Sequence, residues 1–343
     1  MGYDFGKAQQ ERALKKPYLL FLGDARDQLA AKTATGIADW RRDWCVGQLR
    51  LPNCVANAGL EDITIEEAAA RGARTLVIGV VNSGGTIPES WTEPMVEALT
   101  RGMDIASGLH TRLESFTAIR DAATSHNREL HNVRHTDQSF PTGKGIKRGG
   151  KRLLTIGTDC SCGKKYTALA LEHEMRSRSM KADFRATGQT GIFIAERGVA
   201  IDAVVADFIS GAAEWLSPDN DPDHWDLIEG QGSLFHGAFA GVSLGLLHGS
   251  QPDALVLCHE PTRTHMRGLP HAPIPDLAHC IEHNLIGARL TNPACRMAGV
   301  SVNTAALAVD EAAAYLEETE ARLGLPSVDP IRGDIGRIVD NLP

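Results

Sequence analysis

The stretch GTDCSCGKK, at residues 157–165, constrains the fold of this chain more than any other part of the sequence. It follows the apolar run RLLTIG and precedes KYTALALE, which has the composition of a helix. A glycine-rich turn between a strand and a helix directs backbone N–H groups at one point, and the helix N-terminus adds about half a positive charge there. The pattern predicts a phosphate-binding loop in an α/β domain; the alternative is a plain connection between strand and helix.

The loop departs from the common phosphate-binding pattern at two places. Gly157 and Gly163 stand one residue further apart than in G-x-x-x-x-G-K-[ST], and Lys165 replaces the Ser or Thr whose hydroxyl binds Mg²⁺. An ammonium repels a metal ion, whereas Lys164 and Lys165 together neutralise phosphate charge. We therefore expect a phosphate-bearing ligand that is held without hydrolysis, and no metal. The expected contacts are Gly157, Thr158, Asp159, Cys160, Ser161, Cys162, Gly163, Lys164, Lys165 and Tyr166.

The bulk properties exclude several classes of protein. A chain of 343 residues exceeds what one core usually supports, so two domains are expected. The net charge of −8 argues against a nucleic-acid partner. No apolar run reaches the length of about 18 residues that spans a membrane, and the N-terminus lacks the apolar core of a secretory signal. Seven scattered cysteines without a Cys-x-x-Cys pair suit a reducing compartment, so we predict a cytoplasmic protein.

Strand-like and helix-like stretches alternate through both halves of the chain. The apolar runs PYLLFLG and TLVIGVV are separated by the helix-like ITIEEAAARGA, and a similar alternation restarts at RLLTIG. Strands separated by helices of this length indicate parallel sheets with crossover connections. The basic, glycine-rich FPTGKGIKRGGKR has no apolar periodicity and is typical of a linker. We predict domains over residues 1–145 and 151–343, joined by a linker at 146–150.

The letters GTD and GK in the loop resemble the variant loop of dethiobiotin synthetase-like P-loop proteins. That resemblance implies an acidic residue within a Glu-Gly-x-Gly stretch on a later strand. DLIEGQGS supplies Glu229, Gly230 and Gly232 at the end of a predicted strand. Ligands of open α/β sheets collect at such strand ends.

Several stretches together resemble one bacterial family along the whole chain, more densely in the second half. They are GTDCSCGKKYTA, TGQTGI, EGQGSLFH, GLLHGSQPDALVLCHEPTR and, earlier, VVNSGG with GLH. This DgcN-like family, formerly of unknown function, is associated with D-glutamate N-acetylation. The resemblance implies a Rossmann-like N-terminal domain, a P-loop-like C-terminal domain and acetyl transfer from acetyl-CoA to D-glutamate. Coenzyme A has a pyrophosphate and a 3′-phosphate, which suit a loop without the Mg²⁺ hydroxyl.

Acetyl transfer to an amine requires a base, donors to the oxyanion and a positioned acceptor. Glu229, His236 and His259 are the candidate bases: Glu229 and His259 end predicted strands, and a histidine titrates in the useful range. For Glu229 the alternative is an orienting or residual metal-ligand role, and for the two histidines it is a structural role. Cys160 and Cys162, at a helix N-terminus beside lysines, leave open an acyl-cysteine intermediate.

Candidate acceptor contacts lie in other loops. A guanidinium matches a carboxylate bidentately, so Arg263 is a candidate clamp, with a surface ion pair as the alternative. Gln189 and Thr190 offer neutral donors between two glycines, which permit close backbone approach to a ligand. The remaining candidates, from loops of the first domain, are Asn82, Ser83 and His110.

Other functions stay open at this point. An ATP- and Mg²⁺-dependent ligase or kinase acting on a small carboxylate is the main alternative, against which Lys165 argues, and a CoA or nucleotide sensor is another. The basic linker residues could add a second phosphate contact or simply be solvated. An enzyme built from two α/β domains is often a homo-oligomer, which we also expect here.

Overall fold

The computed structural model describes residues 14–136 and 138–343, apart from the side chain of Ser83. The described chain packs as two compact units. The first comprises the described residues of Met1–Asp137 together with Gly188–Ala200, and the second comprises Gln138–Thr187 and Ile201–Pro343.

The first unit is built on a five-stranded parallel sheet of order β2-β1-β3-β4-β5. All six residues of β1 are buried, as expected when helices cover both faces of a parallel sheet. The strand order reverses between β1 and β3, so the ligand crevice of such a sheet lies beyond the carboxyl ends of these strands. The strands are β1 (Tyr18–Gly23), β2 (Cys45–Arg50), β3 (Thr75–Ile78), β4 (Asp104–Ser107) and β5 (Leu130–Asn132).

Helices connect these strands, and one of them lies in the predicted stretch ITIEEAAARGA. The helix in ITIEEAAARGA begins with a capping box, in which Thr64 Oγ1 accepts from the Glu67 backbone N–H and the Glu67 carboxylate accepts from that of Thr64. It ends before Gly72, whose φ of 83° is costly for other residues. The helices between the strands are α1 (Lys32–Trp40), α2 (Ile65–Ala70), α3 (Thr92–Thr100) and α4 (Thr117–Ser125).

The second unit contains a six-stranded parallel sheet of order β13-β12-β9-β6-β8-β7. The chain runs from central β6 to one edge, returns to β8, and crosses to β9 on the other side of β6. The switch point therefore lies at the carboxyl end of β6. The strands are β6 (Lys151–Gly157), β7 (Ala182–Arg185), β8 (Trp225–Ile228), β9 (Ala254–His259), β12 (Arg296–Val302) and β13 (Ser327–Val328), with an antiparallel hairpin of β10 (His265–Met266) and β11 (Leu269–Pro273).

Helices again alternate with the strands of this part of the chain. The one at Gln189–Ala195 belongs to the first unit, although the residues on either side of it belong to the second. Together the two parallel sheets confirm the predicted α/β class. The helices are α5 (Lys164–Ser177), α6 (Gln189–Ala195), α7 (Ile209–Leu216), α8 (Ala240–Ser250), α9 (Leu277–Arg289), α10 (Val309–Leu323) and α11 (Gly336–Asp340).

The predicted linker has no helix or strand and packs on the second unit. Arg148 donates from Nε to the Ser217 carbonyl (2.7 Å) and from Nη2 to the Gly249 carbonyl (2.9 Å). Strand β6, about 23 Å long at 3.3 Å per residue, separates this basic run from the loop at residues 157–163. A second phosphate contact from this run stays a prediction, as do the ranges of the two domains. Within the described residues, no helix is both long and apolar enough to cross a membrane.

A buried ionic cluster stabilises the second sheet. The Asp226 carboxylate on β8 accepts from Arg185 Nε at 2.9 Å and from Ser217 Oγ at 2.5 Å. Ser217 Oγ in turn accepts from Arg152 Nε at 2.8 Å, and Arg152 is almost completely buried. One carboxylate thus compensates charge in a region where an uncompensated ion is costly.

We predict that Asp226→Ala lowers the free energy of unfolding by about 3–5 kcal/mol, because it leaves the Arg185 guanidinium buried without its carboxylate. Urea denaturation measures the change. Asp223→Ala is the matched control, since Asp223 pairs with Lys181 on the exposed surface and its loss should change little. Equal losses in the two variants would contradict the assigned role of Asp226.

Candidate functional site

The loop between β6 and α5 is closed around the ammonium of Lys164. Lys164 Nζ is buried and donates to the Asp159 carbonyl at 2.7 Å. Gly163 caps α5 with a φ of 111°, a conformation open to glycine. At Gly157 a Cβ would lie 2.8 Å from Lys164 Nζ, and at Gly230 a Cβ would lie 1.6 Å from the Thr155 carbonyl oxygen. Glycine is therefore required at both positions, because a side chain would prevent the close approach of the loop, strand β6 and Lys164.

Lys165 and Tyr166 occupy the first turn of α5. The Lys165 ammonium lies 4.8 Å from the centre of the Tyr166 ring, within the range of a cation–π contact. Lys165 is only partly buried. It thus places a positive charge where the common motif has the hydroxyl ligand of Mg²⁺.

Two arginines hold the outer side of the loop. Arg263 Nη1 donates to Asp159 Oδ2 at 2.5 Å and to the Cys160 carbonyl at 2.6 Å. The Arg267 backbone N–H donates to Asp159 Oδ2 at 2.9 Å, and its Nη1 donates to Ser161 Oγ at 2.9 Å. Arg263 therefore stabilises the loop, and a substrate carboxylate would compete with Asp159 for its guanidinium. Nothing in the sequence around Arg267 indicated this contact.

His259, at the end of β9, is paired with the loop. Its Nδ1 lies 3.0 Å from Thr158 Oγ1, and its ring stacks on Tyr315 with centroids 6.1 Å apart. Burial lowers the pKa of His259 to about 4. The ring is therefore neutral near pH 7 and is a weak base.

Glu229, just beyond β8, joins two neighbouring strand ends. Its Oε2 accepts from the Thr187 backbone N–H at 3.0 Å, and its carbonyl accepts from Thr187 Oγ1 at 2.5 Å. Thr187 lies just beyond β7, and both residues are buried. The Thr187 N–H thus fixes the position of the Glu229 carboxylate.

His236 is brought to the loop by the segment that follows Glu229. Ser233 Oγ donates to the Thr158 carbonyl at 3.1 Å, and the His236 backbone N–H donates to the Ser233 carbonyl at 3.1 Å. One nitrogen of the buried His236 ring, Cys160 Sγ and one carboxylate oxygen of Asp159 all lie within 4.8 Å of one another. The structure thus brings a predicted base next to one of the two loop cysteines.

A second group of predicted residues lies in the first unit. Thr190 Oγ1 is 2.8 Å from Thr33 Oγ1, and both residues are buried. With its amide oriented to satisfy both partners, Gln189 donates to the Gly108 carbonyl and accepts from Arg134 Nη2, each at 3.1 Å. Thr33 and Arg134 are far from Gln189 in sequence, so no local pattern indicated these contacts.

Two neighbouring loops of the first unit contain the other predicted residues. The side chain of Asn82 closes its own turn by donating to the Thr86 carbonyl and accepting from its N–H. The exposed His110 follows β4, and its backbone N–H donates to the Gly85 carbonyl at 2.8 Å. The side chain of Ser83 lies outside the described residues. Asn82 and His110 therefore lie at the carboxyl edge of the sheet, where the ligands of such sheets bind.

The parallel sheet with a glycine-rich loop at its switch point defines the second unit as a P-loop-type α/β domain. The family described as "Domain of unknown function (DUF1611_C) P-loop domain" matches residues 140–339, and "Domain of unknown function (DUF1611_N) Rossmann-like domain" matches residues 53–136. The chain belongs to this DUF1611 family. The match confirms the predicted Rossmann-like and P-loop-like domains.

Two named relatives and one solved structure are similar to this chain over nearly its whole length. A protein of Tritonibacter scottomollicae named "D-glutamate N-acetyltransferase" is 56% identical, covering 96% of this chain and 99% of its own. A protein of the same name from a Pseudoalteromonas species is 53% identical over the same shares. A solved DUF1611 family protein from Anabaena variabilis is 30% identical, with a TM-score of 0.85, covering 95% of this chain and 99% of its own.

The low pKa of His259 makes stability depend on pH. Between the ordinary pKa of 6.5 and about pH 4 the unfolded chain binds a proton that the folded chain does not, so this contribution to stability is present at neutral pH and is lost as the pH falls. We predict that wild type loses about 3 kcal/mol more than His259→Gln across that window. Chemical denaturation at each pH measures the difference. His271→Gln, at an exposed histidine, should follow wild type, and an identical loss in all three proteins would contradict the prediction.

Proposed function

We propose that this chain transfers the acetyl group of acetyl-CoA to the amine of D-glutamate. The observation that carries the proposal is 56% identity, over nearly all of both chains, to a relative named D-glutamate N-acetyltransferase. The retained loop with a lysine at the metal-hydroxyl position supports it independently. An acyltransferase needs to hold the phosphates of coenzyme A, but it has no need to polarise a phosphoryl group with Mg²⁺.

The phosphates of coenzyme A are assigned to the loop and the start of α5. The N-terminus of α5 favours anions, and the ammonium groups of Lys164 and Lys165 add positive charge. Lys164 Nζ already bonds a loop carbonyl, so it is held at the centre of the loop. The other predicted contacts of the phosphates belong to the same segment, residues 157–166.

Of the three candidate bases, His236 is the best suited to accept a proton. His259 is a weak base because burial lowers its pKa to about 4. The Glu229 carboxylate accepts from the Thr187 N–H, a contact that gives it a positioning role. In the His236 ring Nδ1 is the unprotonated nitrogen, because Nε2 lies 3.0 Å from the Arg267 carbonyl and must donate to it. We assign proton transfer to His236 and positioning to the other two.

Gln189, Thr190, Asn82 and His110 of the first unit stay predicted contacts of the acceptor. Gln189 and Thr190 are fixed by Arg134 and Thr33, so their orientation is defined before a ligand binds. His110 and Asn82 lie at the carboxyl edge of the sheet. Neutral donors and a nearby guanidinium suit a small acidic amino acid. The cytoplasmic location, the homo-oligomer and the absence of a metal stay predictions.

The first test follows thiol release from acetyl-CoA. We expect release that depends on D-glutamate and yields N-acetyl-D-glutamate, measured with a thiol reagent and by mass spectrometry. L-Glutamate is the stereochemical control. If no acidic D-amino acid caused release, the proposal would fail; Mg²⁺-dependent ADP formation from ATP would instead favour the ligase or kinase.

The second test concerns the loop lysine. We predict that Lys164→Ala raises the KM for acetyl-CoA about 10- to 100-fold, because a charge-assisted contact contributes about 1.5–3 kcal/mol. Lys151→Ala is the matched control, since Lys151 begins strand β6 at the end opposite the loop and donates to the Pro343 carbonyl. Circular dichroism checks that both variants fold. An unchanged KM in folded Lys164→Ala would place the phosphates elsewhere.

A further inference from the structure

The two cysteines of the loop have different surroundings. Cys162 is buried, and its Sγ lies 3.1 Å from the Asp159 carbonyl and 3.3 Å from the Cys258 carbonyl. It points into the protein, where an acyl group has no room. Cys160 is only partly buried, and its sulfur lies within 4.8 Å of a nitrogen of His236 and an oxygen of Asp159. The less buried thiol, that of Cys160, thus has a histidine as its neighbour.

The hydrogen bonds of His236 fix which nitrogen is basic. Nε2 faces the Arg267 carbonyl at 3.0 Å, and a carbonyl can only accept, so Nε2 bears the proton. Nδ1 is therefore the unprotonated nitrogen; it accepts from the Ala238 backbone N–H at 3.2 Å, and this hydrogen bond has to open before Nδ1 can take a proton. A carbonyl that holds one ring nitrogen while the other serves as base is the arrangement required to activate a nucleophile.

The charges around this cluster favour an anion over a metal ion. Cys, His and Asp are also zinc ligands. Here, however, Asp159 is already paired with Arg263, and Arg267 and Lys164 both bond the same loop. A divalent cation would meet three positive side chains and one compensated carboxylate, which is unfavourable. A thiolate is stabilised by the same surroundings.

We propose that Cys160 is the nucleophile that accepts the acetyl group, with His236 as its base; this inference rests on the proposed acetyl transfer. His236 Nδ1 takes the Cys160 thiol proton while the sulfur attacks the thioester carbonyl carbon of acetyl-CoA. The bond from that carbon to the CoA sulfur breaks, and CoA leaves with the proton from His236. The neutral amine of D-glutamate then attacks S-acetyl-Cys160, the carbon–sulfur bond breaks, and the amine proton returns to the sulfur through His236.

This chemistry constrains how acetyl-CoA binds. Its phosphates and its thioester lie at opposite ends of the flexible pantetheine arm. The thioester reaches Cys160 when the arm folds back over the loop. A short thioester without phosphates, S-acetyl-N-acetylcysteamine, should therefore also acetylate Cys160 when it is supplied at high concentration.

The decisive experiment uses the full chain without D-glutamate. We expect isotope-labelled CoA to exchange into acetyl-CoA, and acid-quenched protein to bear one acetyl group on the peptide containing Cys160, removed when D-glutamate is added. Cys160→Ser should lower D-glutamate acetylation more than about a thousandfold. His236→Gln should slow the exchange about a hundredfold. Cys54→Ser, at a cysteine of the other unit, should change neither.

Each result decides one question. Absence of exchange in a protein that releases CoA with D-glutamate would overturn the acyl-cysteine and leave the proposed function standing. Folded Cys160→Ser with turnover within threefold of wild type would do the same. Failure of D-glutamate to cause CoA release would instead count against the proposed function, while the exchange reaction would still report whether Cys160 accepts an acetyl group.

Discussion

The hydrogen bond from Lys164 Nζ to the Asp159 carbonyl is the interaction on which the arrangement of the second unit depends. It closes the loop around a buried ammonium, and such a charge is tolerated only when the surrounding groups compensate it. The glycines at 157 and 230 allow the approach, because a Cβ at either position would collide with the lysine or with strand β6. The carboxyl ends of β6, β8 and β9 are neighbours because these strands are adjacent in the parallel sheet. Glu229 and His259 lie there because their strands end there.

Much of the fold could be predicted because long apolar runs alternate with helical segments. β1, β3 and β6 match the apolar runs PYLLFLG, TLVIGVV and RLLTIG. β4 has only four residues, DIAS, and α8 is AGVSLGLLHGS, which has no polar face. Neither element has a local pattern, because a short buried strand and an apolar glycine-containing helix depend on tertiary packing. The assignment of α6 to the first unit is likewise a long-range effect that no neighbouring residue indicates.

The site was predictable to the extent that it consists of strand ends and one motif. The loop follows from its glycine motif, Glu229 from the resemblance to dethiobiotin synthetase-like loops, and His259 from the end of an apolar run; the roles of these residues stay predictions. What the sequence could not show was how burial changes chemistry: a histidine suited to general base work has a pKa of about 4 once it is enclosed. Nor could it show Arg267, whose contact with Ser161 spans more than a hundred residues. Such contacts arise from the fold, and they produce no recognisable spacing of residues in the sequence.

The charge of the loop links these observations to the chemistry. A common phosphate-binding loop pairs its lysine with a hydroxyl that holds Mg²⁺, so the metal offsets the anionic phosphates during phosphoryl transfer. In this chain Lys165 and two arginines supply fixed positive charge instead, and Asp159 is bonded to one of those arginines. Fixed positive charge stabilises a bound anion or a thiolate without a metal, and neither needs a phosphorus–oxygen bond to break. Because acyl transfer from a thioester develops negative charge on sulfur and on the carbonyl oxygen, the same electrostatics that disfavour phosphoryl transfer favour acyl transfer here.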